Sequence, residues 1–256
     1  MKLHIFGSCA GTEPIPGRRH TSWALETGGG LYWFDAGESC SYTAHLMGLD
    51  LRAVRAVFIS HTHMDHIGGL GNLFWNIRKL TTLDGRQPER DIELFIPNLE
   101  SWNAIYSLLR TTEGGFNIKF AINPHAVSDG TIYDDGNVKV EALHNEHLER
   151  EAPWHSFSYR ITCEGKRVIF SGDVRSYADM ENFLKDGCEL LLVETGHHTP
   201  DTIASYINER GFYVGKLGYL HNGWVILESR ERASELIRSV WSGEFLICED
   251  AQTLEL

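Results

Sequence analysis

A chain of 256 residues with 42% hydrophobic content is ordinary for a globular protein and can bury one large core or two small ones. Its formal charge of −12 repels a nucleic-acid backbone at long range, which argues against a dedicated DNA or RNA binder. No apolar run approaches the roughly 20 residues of a bilayer span and the opening segment lacks an apolar leader, so the expectation is a cytoplasmic protein without a membrane segment.

Short apolar runs bounded by Gly, Asp or Asn predict strands in chain order at LHIF, SWALE, LYWF, AVFIS, IELFIP, KFAI, FSYRI, RVIFSG, LLLVE, KLGYL and FLIC. Helical spacing falls at 67–80, 98–110, 176–186, 200–210 and 229–241, with Asp201 and Ser229 as expected N-caps. Hairpin turns are signalled at Gly28-Gly29-Gly30, Asp135-Gly136-Asn137 and Glu164-Gly165-Lys166, so part of the sheet structure is an antiparallel meander. Residues 81–91 read as a surface loop, and no linker divides the chain, which predicts a single domain over 1–256. The five cysteines are odd in number and form no C-x-x-C pair, the pattern of buried reduced thiols.

The chemistry is concentrated in the 13 histidines. In AVFISHTHMDHIGGL an apolar strand ends at Ser60 and a helix is expected near Asp65, which leaves His61 and His63 in the connecting loop. Residues i and i+2 of extended backbone face the same side, so both imidazoles can reach one ion. Asp65 and His66 follow on the turn and can serve a second, while Gly68-Gly69 permits close backbone packing. A lone histidine would be read as a loop or core residue; three His and one Asp within six positions point to a metal.

The string HTHMDHIGG resembles the H-x-H-x-D-H signature of metallo-β-lactamase-fold hydrolases. That resemblance implies an α/β (α+β) chain folded as a four-layer αββα sandwich. It also implies further ligands: His147 in VEALHNEH, with His144 as the alternative, Asp173 in RVIFSGDV and His221 in KLGYLHNG. His61, His63 and His147 would hold one ion and Asp65, His66 and His221 the other, with Asp173 bridging. The ions expected are two Zn(II), with Mn(II) or Fe(II) as alternatives. Asp65 would also position the nucleophile.

Within that superfamily GSCAGTEPIPGRRHTS and WFDAGES resemble the ribonuclease Z-like branch, and ETGHHT resembles its A-H-x-T element with Gly196 in place of Ala. His197 is then the catalytic helper, oriented by Glu194, with His198 as the alternative. The tRNA-binding arm of ribonuclease Z has no room here, because Asp173 follows His147 by only 26 positions and a hairpin uses most of them. Only 35 residues follow His221, enough for one helix and one strand. The resulting expectation is a dinuclear hydrolase of small phosphodiesters, with a carboxylic or sulfuric ester or a lactone as the second substrate class and a homodimer implied by resemblance. Phe74, Trp75, Trp102 and Tyr106 are read as core more than as substrate wall.

Overall fold

β-branched and aromatic runs separated by glycine turns fold into fourteen strands in the computed structural model, which describes residues 1–112 and 114–256. In chain order these are β1 (Lys2–Gly7), β2 (Ser22–Thr27), β3 (Gly30–Phe34), β4 (Val54–Phe58), β5 (Ile92–Ile96), β6 (Ile122–Ala126), β7 (Gly130–Asp134), β8 (Val138–His144), β9 (Phe157–Cys163), β10 (Lys166–Phe170), β11 (Cys188–Val193), β12 (Val214–Tyr219), β13 (Glu244–Ile247) and β14 (Gln252–Glu255). The α-helices are α1 (Cys40–Leu46), α2 (Met64–Ile67), α3 (Leu70–Asp84), α4 (Leu99–Arg110), α5 (Glu181–Leu184), α6 (Pro200–Arg210), α7 (Trp224–Glu228) and α8 (Arg230–Val240).

The chain divides into two units, one comprising Met1–Gly7, Ile15–Val127 and Asp250–Leu256, the other Ser8–Pro14 and Ser128–Glu249. The first holds a seven-stranded sheet in the order β14-β1-β2-β3-β4-β5-β6, antiparallel as far as β3 and parallel from β3 to β6. Trp23, Phe34, Phe58 and Phe95 sit in register on neighbouring strands and stack at centroid distances of 4.3, 4.9 and 5.1 Å, a cross-strand ladder that fixes this register. Trp33, Val57 and Leu94 join Leu73, Phe74 and Ile77 of α3 and Trp102 of α4 in a single buried cluster. Phe74 and Trp102 are therefore core, while Tyr106 remains partly exposed.

The second unit holds the other seven-stranded sheet, β13-β12-β11-β10-β9-β8-β7, an antiparallel meander from β7 to β10 followed by parallel β10, β11, β12 and β13. Strand β11 is almost wholly buried, as a near-continuous CELLLV run requires when both faces are covered. Its helices α6 and α8 bury Ile203, Ile207, Ala233 and Ile237 against Leu191 and Leu217.

Several expectations need correction. KFAI is not a strand; pairing begins at Ile122, because β6 aligns with β5 from Ile92↔Ile122 onward. Thr199 rather than Asp201 is the N-cap of α6, since Pro200 takes the first helical position, where its missing N–H costs nothing. Beyond His221 the chain forms two helices and two strands, β14 closing the edge of the first sheet. Ser229 does cap α8, accepting from the Arg232 amide. All five cysteines are free and buried.

Candidate metal centre

Parallel strands present their C-terminal ends to one edge of a sheet, and the connections leaving those ends are where an open α/β sheet binds ligands. In the first unit that edge carries Asp35 just after β3 and residues 59–66 after β4. Asp35 adopts left-handed backbone, φ 52°, with its carbonyl accepting from Ser22 Oγ at 2.7 Å and its amide donating to Phe58 at 2.9 Å. Pinned in that way, its fully buried carboxylate accepts from the Ser60 amide at 2.6 Å, from Ser60 Oγ at 2.8 Å and from His66 Nδ1 at 2.6 Å. With Nδ1 bonded to Asp35, Nε2 is the atom His66 could offer a metal, the outer-shell arrangement common to metal-binding histidines.

Ser60 Oγ similarly lies 3.1 Å from His61 Nδ1, and His61 Nε2 lies 3.0 Å from His63 Nδ1. His66 Nε2 stands 3.2 Å from Asp65 Oδ2. Two donors each about 2.1 Å from one ion at a tetrahedral angle lie about 3.4 Å apart. Both pairs are close to that spacing, so the residues fit a metal. Helix α2 begins at Met64 with His63 as N-cap, as the sequence pattern requires. Its exit depends on glycine: a Cβ on Gly69 would collide with the Gly37 carbonyl, and one on Gly68 would stand 2.6 Å from the Met64 carbonyl.

In the second unit the corresponding loops carry Asp173 after β10, Glu194 to His198 after β11 and His221 after β12. Asp173 is buried, with Oδ2 3.8 Å from His147 Nε2 and Oδ1 3.4 Å from His221 Nε2. Its two oxygens thus face two different imidazoles, the requirement for a carboxylate that bridges. His147 is seated by its amide, which donates to Asn145 Oδ1 at 3.1 Å. His144 faces other partners: Nδ1 is 2.6 Å from Asp129, and the ring stacks on Trp154 at 4.2 Å.

Glu194, 1% exposed, accepts from the His197 amide at 2.9 Å, and its two oxygens lie 3.1 and 3.2 Å from His197 Nδ1. That leaves His197 Nε2 on the open side of a ring whose side chain is 46% exposed. His198 turns away and donates from Nε2 to the Val174 carbonyl at 2.9 Å, its ring 4.6 Å from Tyr177, whose phenol burial pushes well above the usual range. Asp173, Glu194, His197 and His221 each offer a ligand atom within 4.8 Å of the others. His221 is in left-handed backbone, φ 55°, and its ring fills the space over Gly196: a Cβ there would come within 2.6 Å of His221 Cε1. The departure from Ala at that position is thereby explained by packing.

Asp35, whose carboxylate holds His66, has no role in the sequence analysis beyond its place in WFDAGES. Its signal was a polar residue at the end of a buried strand followed by Ala-Gly.

Comparison with known proteins matches residues 1–209 to the family described as Anti-Pycsar protein Apyc1. Ribonuclease Z of Shouchella clausii is 31% identical over 172 residues, 65% of this chain and 49% of that protein. Ribonuclease Z of Methanothermobacter thermautotrophicus is 28% identical over 57% of this chain and 45% of its own length, so the chain spans about half of these relatives. Among solved structures, the metallo-β-lactamase fold protein YhfI from Bacillus subtilis aligns with a TM-score of 0.74 at 18% identity, covering 99% of both chains. The short form of human tRNase Z aligns with a TM-score of 0.71 at 19% identity over 100% of this chain and 99% of its own.

Proposed function

The chain belongs to the Anti-Pycsar protein Apyc1 family and has the metallo-β-lactamase fold, and from that premise we propose that it hydrolyses a small phosphodiester with two divalent metal ions. The observation that carries the reading is the Asp173 carboxylate, with one oxygen toward His147 and the other toward His221. His61, His63 and His147 would hold one ion, Asp65, His66 and His221 the other, and Asp173 would belong to both. Nitrogen and carboxylate donors without thiolate suit zinc, which we take as the resident metal. We further take the two units as halves of one hydrolase domain, and place it in a reducing cytoplasm, to which five free buried thiols are suited.

When bound, such ions supply Lewis acidity and a nucleophilic water at neutral pH. Asp65 would orient that water by accepting its hydrogen. His197 hands a proton from Nε2 to the departing oxygen, and Glu194 holds the ring through Nδ1 and balances the positive charge of its protonated form. Diester chemistry is favoured over carboxylic ester chemistry because the curated relatives are ribonucleases and a structural neighbour, at a TM-score of 0.67, is a diphosphatase of the PhnP family.

A panel of chromogenic phosphodiester, phosphomonoester, lactone and thioester substrates on zinc-loaded protein tests the reading. The diester is expected to be the best substrate and EDTA to abolish its turnover. Preferential lactone or thioester hydrolysis would overturn it.

A further inference from the structure

The backbone ladder of the second sheet stops short of two candidate ligands. Strand β8 is paired as far as His144, opposite Phe157 of β9, and β10 as far as Phe170, opposite Tyr159 of β9, so His147 and Asp173 both lie beyond the last rung. Past that point a chain of side-chain hydrogen bonds takes over. The His147 amide donates to Asn145 Oδ1 at 3.1 Å, Asn145 Nδ2 donates to Ser158 Oγ at 3.3 Å, and Ser158 Oγ donates to the Ser171 carbonyl at 2.6 Å. Ser171 Oγ in turn donates to the Gly172 carbonyl at 2.6 Å and accepts from the Glu194 amide at 3.0 Å. Asp173 follows directly, after a Gly172 in left-handed backbone, φ 55°. Asn145, Ser158 and Ser171 are buried, and among the described residues none of the three leaves a buried side-chain polar atom without a partner.

The chain has one direction. A serine hydroxyl carries one proton, and Ser158 gives its proton to the Ser171 carbonyl, so toward Asn145 it can only accept. That orients the Asn145 amide: turned over, it would present its NH2 to the His147 N–H and its oxygen to a hydroxyl with no proton left to give. Apolar residues would fill the same interior with no polar group to satisfy, whereas a buried network in which every member is paired fixes one arrangement. We infer that Asn145 and Ser158 are positioning residues, which set the separation of His147 and Asp173 through this chain. The inference rests on the metal reading above.

The test measures zinc affinity by competition with a chromophoric chelator, on folded protein well below its thermal midpoint, together with that midpoint after EDTA treatment. Ser158→Ala, Asn145→Ala and the double variant are compared with Ser156→Ala, which removes a hydroxyl that is equally buried but has no partner. Each of the first two is expected to weaken the binding of at least one zinc ion by about tenfold or more. The double variant should lose no more than the larger single loss, because both changes cut one chain, and Ser156→Ala should bind zinc as the wild type does. A purely structural role would lower the midpoint and leave the affinity of the folded protein unchanged, which overturns the inference. Losses that add in the double variant overturn it too, as does a loss in Ser156→Ala equal to that in Ser158→Ala. If Asn145→Ala does not fold, Ser158→Ala against Ser156→Ala decides. Wild-type protein that binds no zinc overturns the metal reading and this inference together. Zinc binding that responds as expected without diester turnover supports the inference, and the reaction class alone falls.

Discussion

At the scale of single residues, Gly196 makes the sharpest test of how the site is packed. A methyl group there meets His221 Cε1 and Nδ1 at 2.6 and 2.7 Å, contacts too short for any carbon, so the ring must move. Gly196→Ala is expected to lower zinc affinity by roughly 10- to 100-fold, the range seen when a ligand loses its positioning, with the thermal midpoint of the metal-free protein little changed. Equilibrium dialysis against a zinc buffer measures it, and an unaltered affinity would remove His221 from the ligand set. His197→Gln should behave in the opposite manner, keeping zinc while turnover drops about 10²- to 10⁴-fold, because a proton donor acts on the transition state and not on the ion. Elemental analysis and initial rates on one preparation decide it; metal loss would make His197 a ligand. The dense histidine string was legible because spacing of two in extended backbone has one geometric meaning. Asp35, Ser60 and Asn145 were not, because a hydrogen-bonding partner from another strand leaves no periodic mark in the chain.

At the scale of elements, periodicity and turn chemistry located the helices that pack and the hairpins that turn on glycine, and missed what depends on partners. Strand β14 has only QTLE to declare it and exists because β1 offers an open edge. Helix α1 begins without a side-chain cap at Ser39, whose φ is 68°, and is held by burial of Cys40, Thr43 and Ala44. Strands β8 and β9 carry a testable electrostatic pair: Glu141 and Arg160 stand opposite each other in register and bond at 3.0 Å through both nitrogens of the fork, with side chains 17% and 16% exposed. The Arg160 bond holds the Glu141 carboxyl below its ordinary value of 4.5, against the opposing effect of partial burial. A folded-state value depressed in this way stabilises above the unfolded value and is lost as pH falls through the folded one. Glu141→Gln is therefore expected to cost about 1 kcal/mol at pH 7 and progressively less toward pH 3. Urea unfolding at both pH values checks this, and parallel losses would contradict it.

At the scale of the whole molecule, resemblance to the ribonuclease Z-like branch was legible from motifs spread along the chain, and the structural neighbours share that fold. The narrower family, matched over residues 1–209, was not read from those motifs. Substrate size is where the motifs and the rest of the chain part company. A precursor tRNA draws much of its binding energy from backbone contacts remote from the cleaved bond, and that energy is what orients the bond. Between His147 and Asp173 this chain has the β9–β10 hairpin, turned by Glu164 and Gly165 alone, and hence no arm; its net charge is −12. Small activated diesters should accordingly be cleaved far better than precursor tRNA when kcat/KM is compared at the same low salt. Efficient tRNA cleavage that weakens steeply as salt rises would reverse this expectation, because such a slope counts phosphates neutralised by the protein and would require a basic surface outside the segment where the arm is missing.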